Sequence, residues 1–63
     1  MRLTRQQIQD LRGRSPEGAY QLIRQFVREE HGSVSREELA EAVQDAIRAG
    51  LLDESDVRRI EES

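Results

Sequence analysis

Apolar residues recur every three or four positions along most of the chain, the spacing typical of amphipathic helices. The longest stripe consists of Ala19, Leu22, Ile23, Phe26 and Val27. No segment shows the alternation of apolar and polar residues that would indicate a half-buried strand. We therefore predict an all-α fold, a compact bundle of four short helices at about 5–12, 16–31, 36–49 and 54–61.

Polar residues at the predicted helix starts support these boundaries. Ser15 precedes Pro16, and serine at the cap position followed by proline at the first helical position favours a helix start. Three other starts show the spacing of a capping box, in which two side chains bond each other's backbone. The pairs are Thr4 with Gln7, Ser35 with Glu38, and Asp53 with Asp56. Glycine follows three of the predicted helices, at positions 13, 32 and 50, where a left-handed residue commonly ends a helix.

The length of 63 residues allows one small domain, spanning residues 1–63. The chain has no cysteine, which excludes disulfides and thiolate metal sites. No apolar run approaches the roughly 20 residues that cross a bilayer, and the N-terminus lacks the apolar segment of a signal peptide. We expect a soluble cytoplasmic protein that does not associate with membranes.

Charge is distributed unevenly along the chain. Residues 1–28 contain six arginines and two acids, a net charge of +4, whereas residues 29–63 contain four arginines and eleven acids, a net charge of −7. The two halves can neutralise each other within one chain, pair between copies, or present unlike surfaces to other molecules. The pattern alone leaves these alternatives open.

The segment HGSVSREEL at residues 31–39 resembles the second half of an EF-hand calcium loop. If Gly32 takes the sixth place of that loop, the first, third and fifth places fall on Val27, Glu29 and His31. Calcium requires oxygen ligands at these three places, and valine and histidine have no side-chain oxygen. We therefore expect no metal site and no bound cofactor.

The sequence contains no convincing catalytic group. His31 is the only histidine, and its position at a helix C-terminus is favourable for a solvated cation. The carboxylates fall mainly on the predicted outer faces of the helices. Because catalysis needs positioned groups in a pocket that excludes water, we predict that the protein is not an enzyme.

We predict a protein-interaction or regulatory module that binds a protein partner or a second copy of itself. Aromatic side chains often anchor interfaces, and the charged faces of the second and third helices offer complementary groups. Ala42, Ala46 and Ala49 form a small-residue edge that could admit another helix. The candidate partner-binding residues are Tyr20, Arg24, Phe26, Arg28, Glu37, Glu41 and Asp45.

A nucleic-acid-associated regulator is the alternative, because arginine is well suited to phosphate. Its contacts would come from the N-terminal arginines, since the predicted third helix presents mostly acids. The net charge of −3 and the absence of lysine weigh against this function. The candidate residues are Arg5, Arg12, Arg14, Arg24 and Arg28.

Overall fold

The chain folds into four helices and no strands, which confirms the predicted all-α bundle. A computed structural model describes residues 1–63, and its helices are α1 (Arg5–Leu11), α2 (Pro16–His31), α3 (Arg36–Arg48) and α4 (Glu54–Glu62). The predicted ends of α1 and α3 were one residue too long, and the predicted end of α4 was one residue too short. None of the helices is both long and apolar enough to cross a membrane.

The second helix is the centre of the fold, because both α3 and α4 pack against it. Its residues Ala19, Ile23 and Val27 are completely buried. Apart from the hydroxyl of Tyr20, the core side chains carry no polar group, and no large hydrophobic side chain is exposed. The buried residues are Met1, Leu3, Leu11, Ala19, Tyr20, Ile23, Val27, Ala42, Val43, Ala46, Leu52 and Val57.

Local capping explains where α1 and α2 begin. The Thr4 hydroxyl accepts a hydrogen bond from the Gln7 N–H at 3.1 Å, and the Gln7 side chain accepts one from the Thr4 N–H at 2.9 Å. This reciprocal pair confirms the predicted capping box. The Ser15 hydroxyl caps α2 by accepting from the Gly18 N–H at 3.1 Å.

The predicted capping boxes at the other two starts are wrong. Neither Ser35 nor Asp53 makes a side-chain cap hydrogen bond to its helix. The Glu38 carboxylate bonds the N-terminal amino group instead, and Asp53 accepts from the Ser55 hydroxyl at 3.0 Å. Both helices nevertheless begin at the predicted residues, so these two helix starts do not depend on a side-chain capping bond.

The turn between α2 and α3 depends on Gly32. This residue is the C-cap of α2 in the left-handed region, at φ +78°, and its N–H donates to the Arg28 carbonyl at 2.8 Å. A side chain is disfavoured in that conformation because its Cβ crowds the backbone. The EF-hand-like segment is thus a helix end followed by a new helix. Val27, at the first place of the supposed loop, lies in the core.

Candidate interaction site

An open groove with a volume of about 720 Å³ runs beside α2, between the start of α3 and the end of α4. Apolar and charged side chains meet in this groove. Its apolar lining consists of Tyr20, Val34, Leu39, Ala40 and Ile60. Its charged side chains are Glu17, Arg24, Arg36 and Glu61. We call this cavity the α2 groove.

Tyr20 connects the α2 groove to the end of α4. Its side chain is buried, and its hydroxyl donates a hydrogen bond to Glu61 Oε2 at 3.0 Å. Burial raises the pKa of the Tyr20 hydroxyl, and the hydrogen bond and negative charge of Glu61 raise it further, while Arg24 acts in the opposite direction. The contact thus joins α2 to the last turn of α4, which extends to Glu62.

A second, wholly polar cavity of about 610 Å³ lies farther along the outer side of α2. Its lining consists of Gln21, Arg24, Gln25, Arg28 and Glu29. Gln21 and Arg24 also line the α2 groove, so the two cavities adjoin along these side chains. We define the α2 outer stripe as Glu17, Gln21, Arg24 and Arg28, which recur at spacings of four, three and four residues.

The arginines of the N-terminal half do not pair with the acids of the C-terminal half. None of Arg5, Arg12, Arg14, Arg24 and Arg28 forms an ion pair with a carboxylate. The two arginines in ion pairs are Arg48 and Arg59, each with an acid on its own helix. The acids of the same chain therefore do not neutralise these N-terminal arginines, which was one of the alternatives that the charge pattern left open.

The acidic face of α3 binds the chain's own N-terminal residues. The amino group of Met1 pairs with Glu38 and with Glu41, the latter at 3.2 Å. The Leu3 N–H donates to Asp45 Oδ2 at 2.9 Å. Glu38, Glu41 and Asp45 lie three and four residues apart, so they follow one side of the helix. Two predicted partner-binding carboxylates, Glu41 and Asp45, thus have partners inside the chain.

Both partners of the Met1–Glu38 ion pair have shifted pKa values. Burial alone would lower the pKa of the Met1 amino group, but hydrogen bonds from it to Glu38 and Glu41 and their charges raise it above its ordinary value of 8.0. The hydrogen bond from the same amino group lowers the pKa of Glu38 below 4.5; partial burial opposes this shift, and the charges of the amino group and His31 reinforce it. His31 Nε2 lies 3.5 Å from Glu38 Oε2.

The structure brings three predicted site residues together and separates the others. Tyr20 and Arg24 line the α2 groove, and Arg28 lies in the adjoining polar cavity. Phe26 packs against the core and lines neither cavity. Glu37 is exposed on α3. Of the proposed small-residue edge, Ala42 and Ala46 are completely buried and belong to the core, and Ala49 is exposed.

Sequence reasoning missed several side chains of the α2 groove. Leu39 and Ile60 are only partly buried, and both line the groove. Arg36 at the start of α3 and Glu61 near the end of α4 also line the groove. The amphipathic pattern contained no signal for these positions, because it identifies the inner face of a helix and not the gap between neighbouring helices.

The acidic and imidazole side chains are not grouped as metal ligands are. No cluster of three or more His, Asp or Glu residues has the arrangement needed to hold a metal ion.

The candidate site is therefore defined by an apolar floor, free guanidinium groups and neighbouring carboxylates. These features describe a small all-α protein with a mixed apolar and charged surface groove. Comparisons with protein-family models, curated proteins and solved structures found no match.

Proposed function

We propose that this chain is a small, non-enzymatic protein-interaction or regulatory module of the cytoplasm, which binds a protein partner through the α2 groove. The observation that carries the proposal is the meeting of Leu39 and Ile60 with the unpaired guanidinium of Arg24 in one concave surface. Protein interfaces are enriched in aromatic residues and arginine, and their binding energy concentrates in pockets that exclude water. The α2 groove offers both residue types.

The chemistry of the groove supports binding more than catalysis. Its ionisable side chains are arginines and glutamates beside an opening to solvent, and the Tyr20 hydroxyl is engaged by Glu61. General acid–base catalysis works best when a titratable group is held within reach of a substrate and away from bulk water. A mixed charged rim around apolar side chains is better suited to recognising a protein surface.

Site-specific photo-crosslinking tests the proposal. A photoreactive amino acid replaces Gln21, which is exposed and lines the α2 groove. The matched control carries the same group at Gln9, an exposed glutamine on α1 outside both cavities. In an extract of the source cells, we expect discrete protein adducts at position 21 that excess unlabelled protein suppresses. Equal adducts at both positions, or none at position 21, would contradict binding through this groove.

A nucleic-acid-associated regulator is the second candidate, and one observation favours it. The five candidate arginines have no carboxylate partners, so their charges remain available to phosphate. Arg24 and Arg28 share one cavity and could contact neighbouring phosphates. The supporting arguments are the accessibility of these side chains and the affinity of guanidinium groups for phosphate oxygens.

Retention on immobilised duplex DNA and RNA at increasing salt tests this second function. The R24A/R28A variant should lose retention. The slope of log affinity against log salt concentration should become less steep by the amount expected for about two phosphate contacts. The R48A/R59A variant is the matched control, because it removes the same charge from arginines already in ion pairs. Loss of retention in both variants to the same extent would indicate a general charge effect and remove the support for a specific arginine surface.

A further inference from the structure

We infer that the α2 outer stripe is a self-association surface on which a second copy of this chain docks with its own α2 antiparallel. This inference rests on the proposed function and names the partner. In the antiparallel arrangement, Glu17 of each copy faces Arg28 of the other. Gln21 of each copy faces Arg24 of the other.

The first argument is that these charges have no partners within the chain. Glu17, Arg24 and Arg28 form no ion pair in the folded protein. Glu17 and Arg28 are eleven residues apart on one helix. At a rise of about 1.5 Å per residue, their Cα atoms are separated by roughly 16 Å. They are therefore too far apart to pair with each other on the same α2, and only a second molecule can bring this acid and this arginine together.

The second argument is the order of residues along α2. Glu17 lies at the N-terminal end of the stripe, and Gln21 follows it. The two arginines lie toward the C-terminal end. A two-fold axis that passes between the two copies of α2, level with residues 22 and 23, brings position 17 of one copy opposite position 28 of the other, and position 21 opposite position 24. Such an isologous contact repeats each interaction twice, because the same patch serves both copies. It forms two Glu17–Arg28 ion pairs and two Gln21–Arg24 hydrogen bonds, in which the guanidinium donates to the amide oxygen.

The third argument is access. Glu17, Gln21 and Arg28 are exposed, and Arg24 is half-buried beside both cavities. A second α2 lying over the shared residues Gln21 and Arg24 would also shield the apolar side chains Leu39 and Ile60 of the adjoining α2 groove. Specific interfaces commonly cover about 800 Å² per partner. The accessible surface of this chain is 4439 Å², so a contact of that size would occupy less than a fifth of it.

The composition of the stripe sets the strength and character of the association. Leu39 and Ile60 are already partly buried and no large hydrophobic side chain is fully exposed, so further burial of apolar surface contributes little. Solvent-exposed ion pairs are weak individually and are screened by salt. The dimer should therefore be in rapid equilibrium with the monomer, form at high protein concentration, and dissociate as salt increases.

Charge reversal tests the arrangement directly. Sedimentation measurements across protein concentration at low salt should show the wild-type mass approaching twice that of the monomer. The E17R and R28E variants each place like charges opposite one another at two sites, and each should weaken association about tenfold. The E17R/R28E double variant should associate as the wild type does, and an equimolar mixture of the two single variants should form a mixed dimer.

The R12E variant is the matched control. Arg12 is exposed at the end of α1, outside both cavities, and its reversal changes the net charge by the same amount as R28E. It should leave association unchanged, and circular dichroism of every variant should show the same helix content. A wild-type protein that stays monomeric at all concentrations would overturn the inference, as would a dimer that the double variant does not restore.

The crosslinking experiment separates this inference from the proposed function. An adduct at position 21 with twice the mass of the chain supports self-association. Adducts to a different protein, together with a monomeric wild type, would overturn self-association while leaving the α2 groove as a protein-binding site. Absence of both kinds of adduct contradicts the inference and the proposed function together.

Discussion

Replacing Tyr20 by phenylalanine tests the contact that joins α2 to α4. The change removes the hydrogen bond from the Tyr20 hydroxyl to Glu61 Oε2 and keeps the buried ring in place. Tyr20 is the only tyrosine, and the chain has no tryptophan, so the tyrosine band of the near-ultraviolet spectrum of the wild type reports on this one side chain. We expect a modest and specific loss of stability with no change in the fold.

The magnitude follows from the exposure of the two partners. Glu61 is exposed, so its carboxylate recovers water after the hydroxyl is lost, and the net cost should be about 1 kcal/mol. In a domain of this size, that cost lowers the Tm by roughly 4–8 °C. Tyr20→Ala also removes the ring and should cost about 3–5 kcal/mol. At about 0.05–0.15 kcal/mol per residue, a domain of this length is stable by roughly 3–9 kcal/mol, so the alanine change would remove a large part of that stability, and phenylalanine is the informative substitution.

The assay combines denaturation with a titration of Tyr20. A double-mutant cycle of Tyr20→Phe and Glu61→Ala should give a coupling energy of about 1 kcal/mol, and strictly additive effects would refute the contact. In the wild type, the pKa of Tyr20 should lie above its ordinary value of 10.0, first because of burial and then because of Glu61. Glu61→Ala should lower that pKa without abolishing the shift. Since the folded state favours the protonated phenol, its contribution to stability is complete below about pH 10 and declines as the pH rises through the folded-state pKa.

Three further predictions concern the core, the α2 end and the Met1–Glu38 ion pair. Ile23 is completely buried, so Ile23→Ala should cost about 3 kcal/mol in chemical denaturation, and a loss below about 1 kcal/mol would contradict its place in the core. Gly32→Ala should cost about 1–2 kcal/mol through backbone strain. An added Cβ at Gly32 meets no atom within 4 Å, so an unchanged Tm would count against the left-handed cap. Stability should decline at acid pH, as Glu38 gains a proton below its ordinary pKa of 4.5, and again at alkaline pH, as the Met1 amino group loses one above 8.0. Glu38→Gln should weaken both dependences in pH-resolved thermal melts, whereas profiles identical to the wild type would exclude the ion pair.

Helix boundaries could be predicted from sequence because their signals are local. Thr4 and Gln7 are three residues apart, and the reciprocal hydrogen bonds they form depend on almost nothing beyond that spacing. The start at Ser15-Pro16 and the stop at Gly32 are equally local. The pattern of buried residues on α2 follows from helical periodicity in the same way.

The contacts that define the candidate site could not be predicted in this way, because they join distant parts of the chain. Tyr20 reaches Glu61 across 41 positions, and Met1 reaches Glu38 across 37. A carboxylate at a capping-box position has the right spacing for a local bond, but an ammonium group brought near by packing competes for it. The expected capping bond at Glu38 therefore gives way to an ion pair that no short window of sequence contains.

The two faces of α2 allow folding and association to be tested separately. Helical periodicity places the α2 outer stripe on a different side of the helix from Ala19, Ile23 and Val27, and those three side chains are completely buried. Reversing the charge of a residue in the stripe therefore changes the surface without opening a cavity in the core. Tyr20 lies between these two faces, with a buried ring and a place in the α2 groove. A change at Tyr20 would alter stability together with the groove surface, so the charge reversals are the sharper test of the proposed self-association.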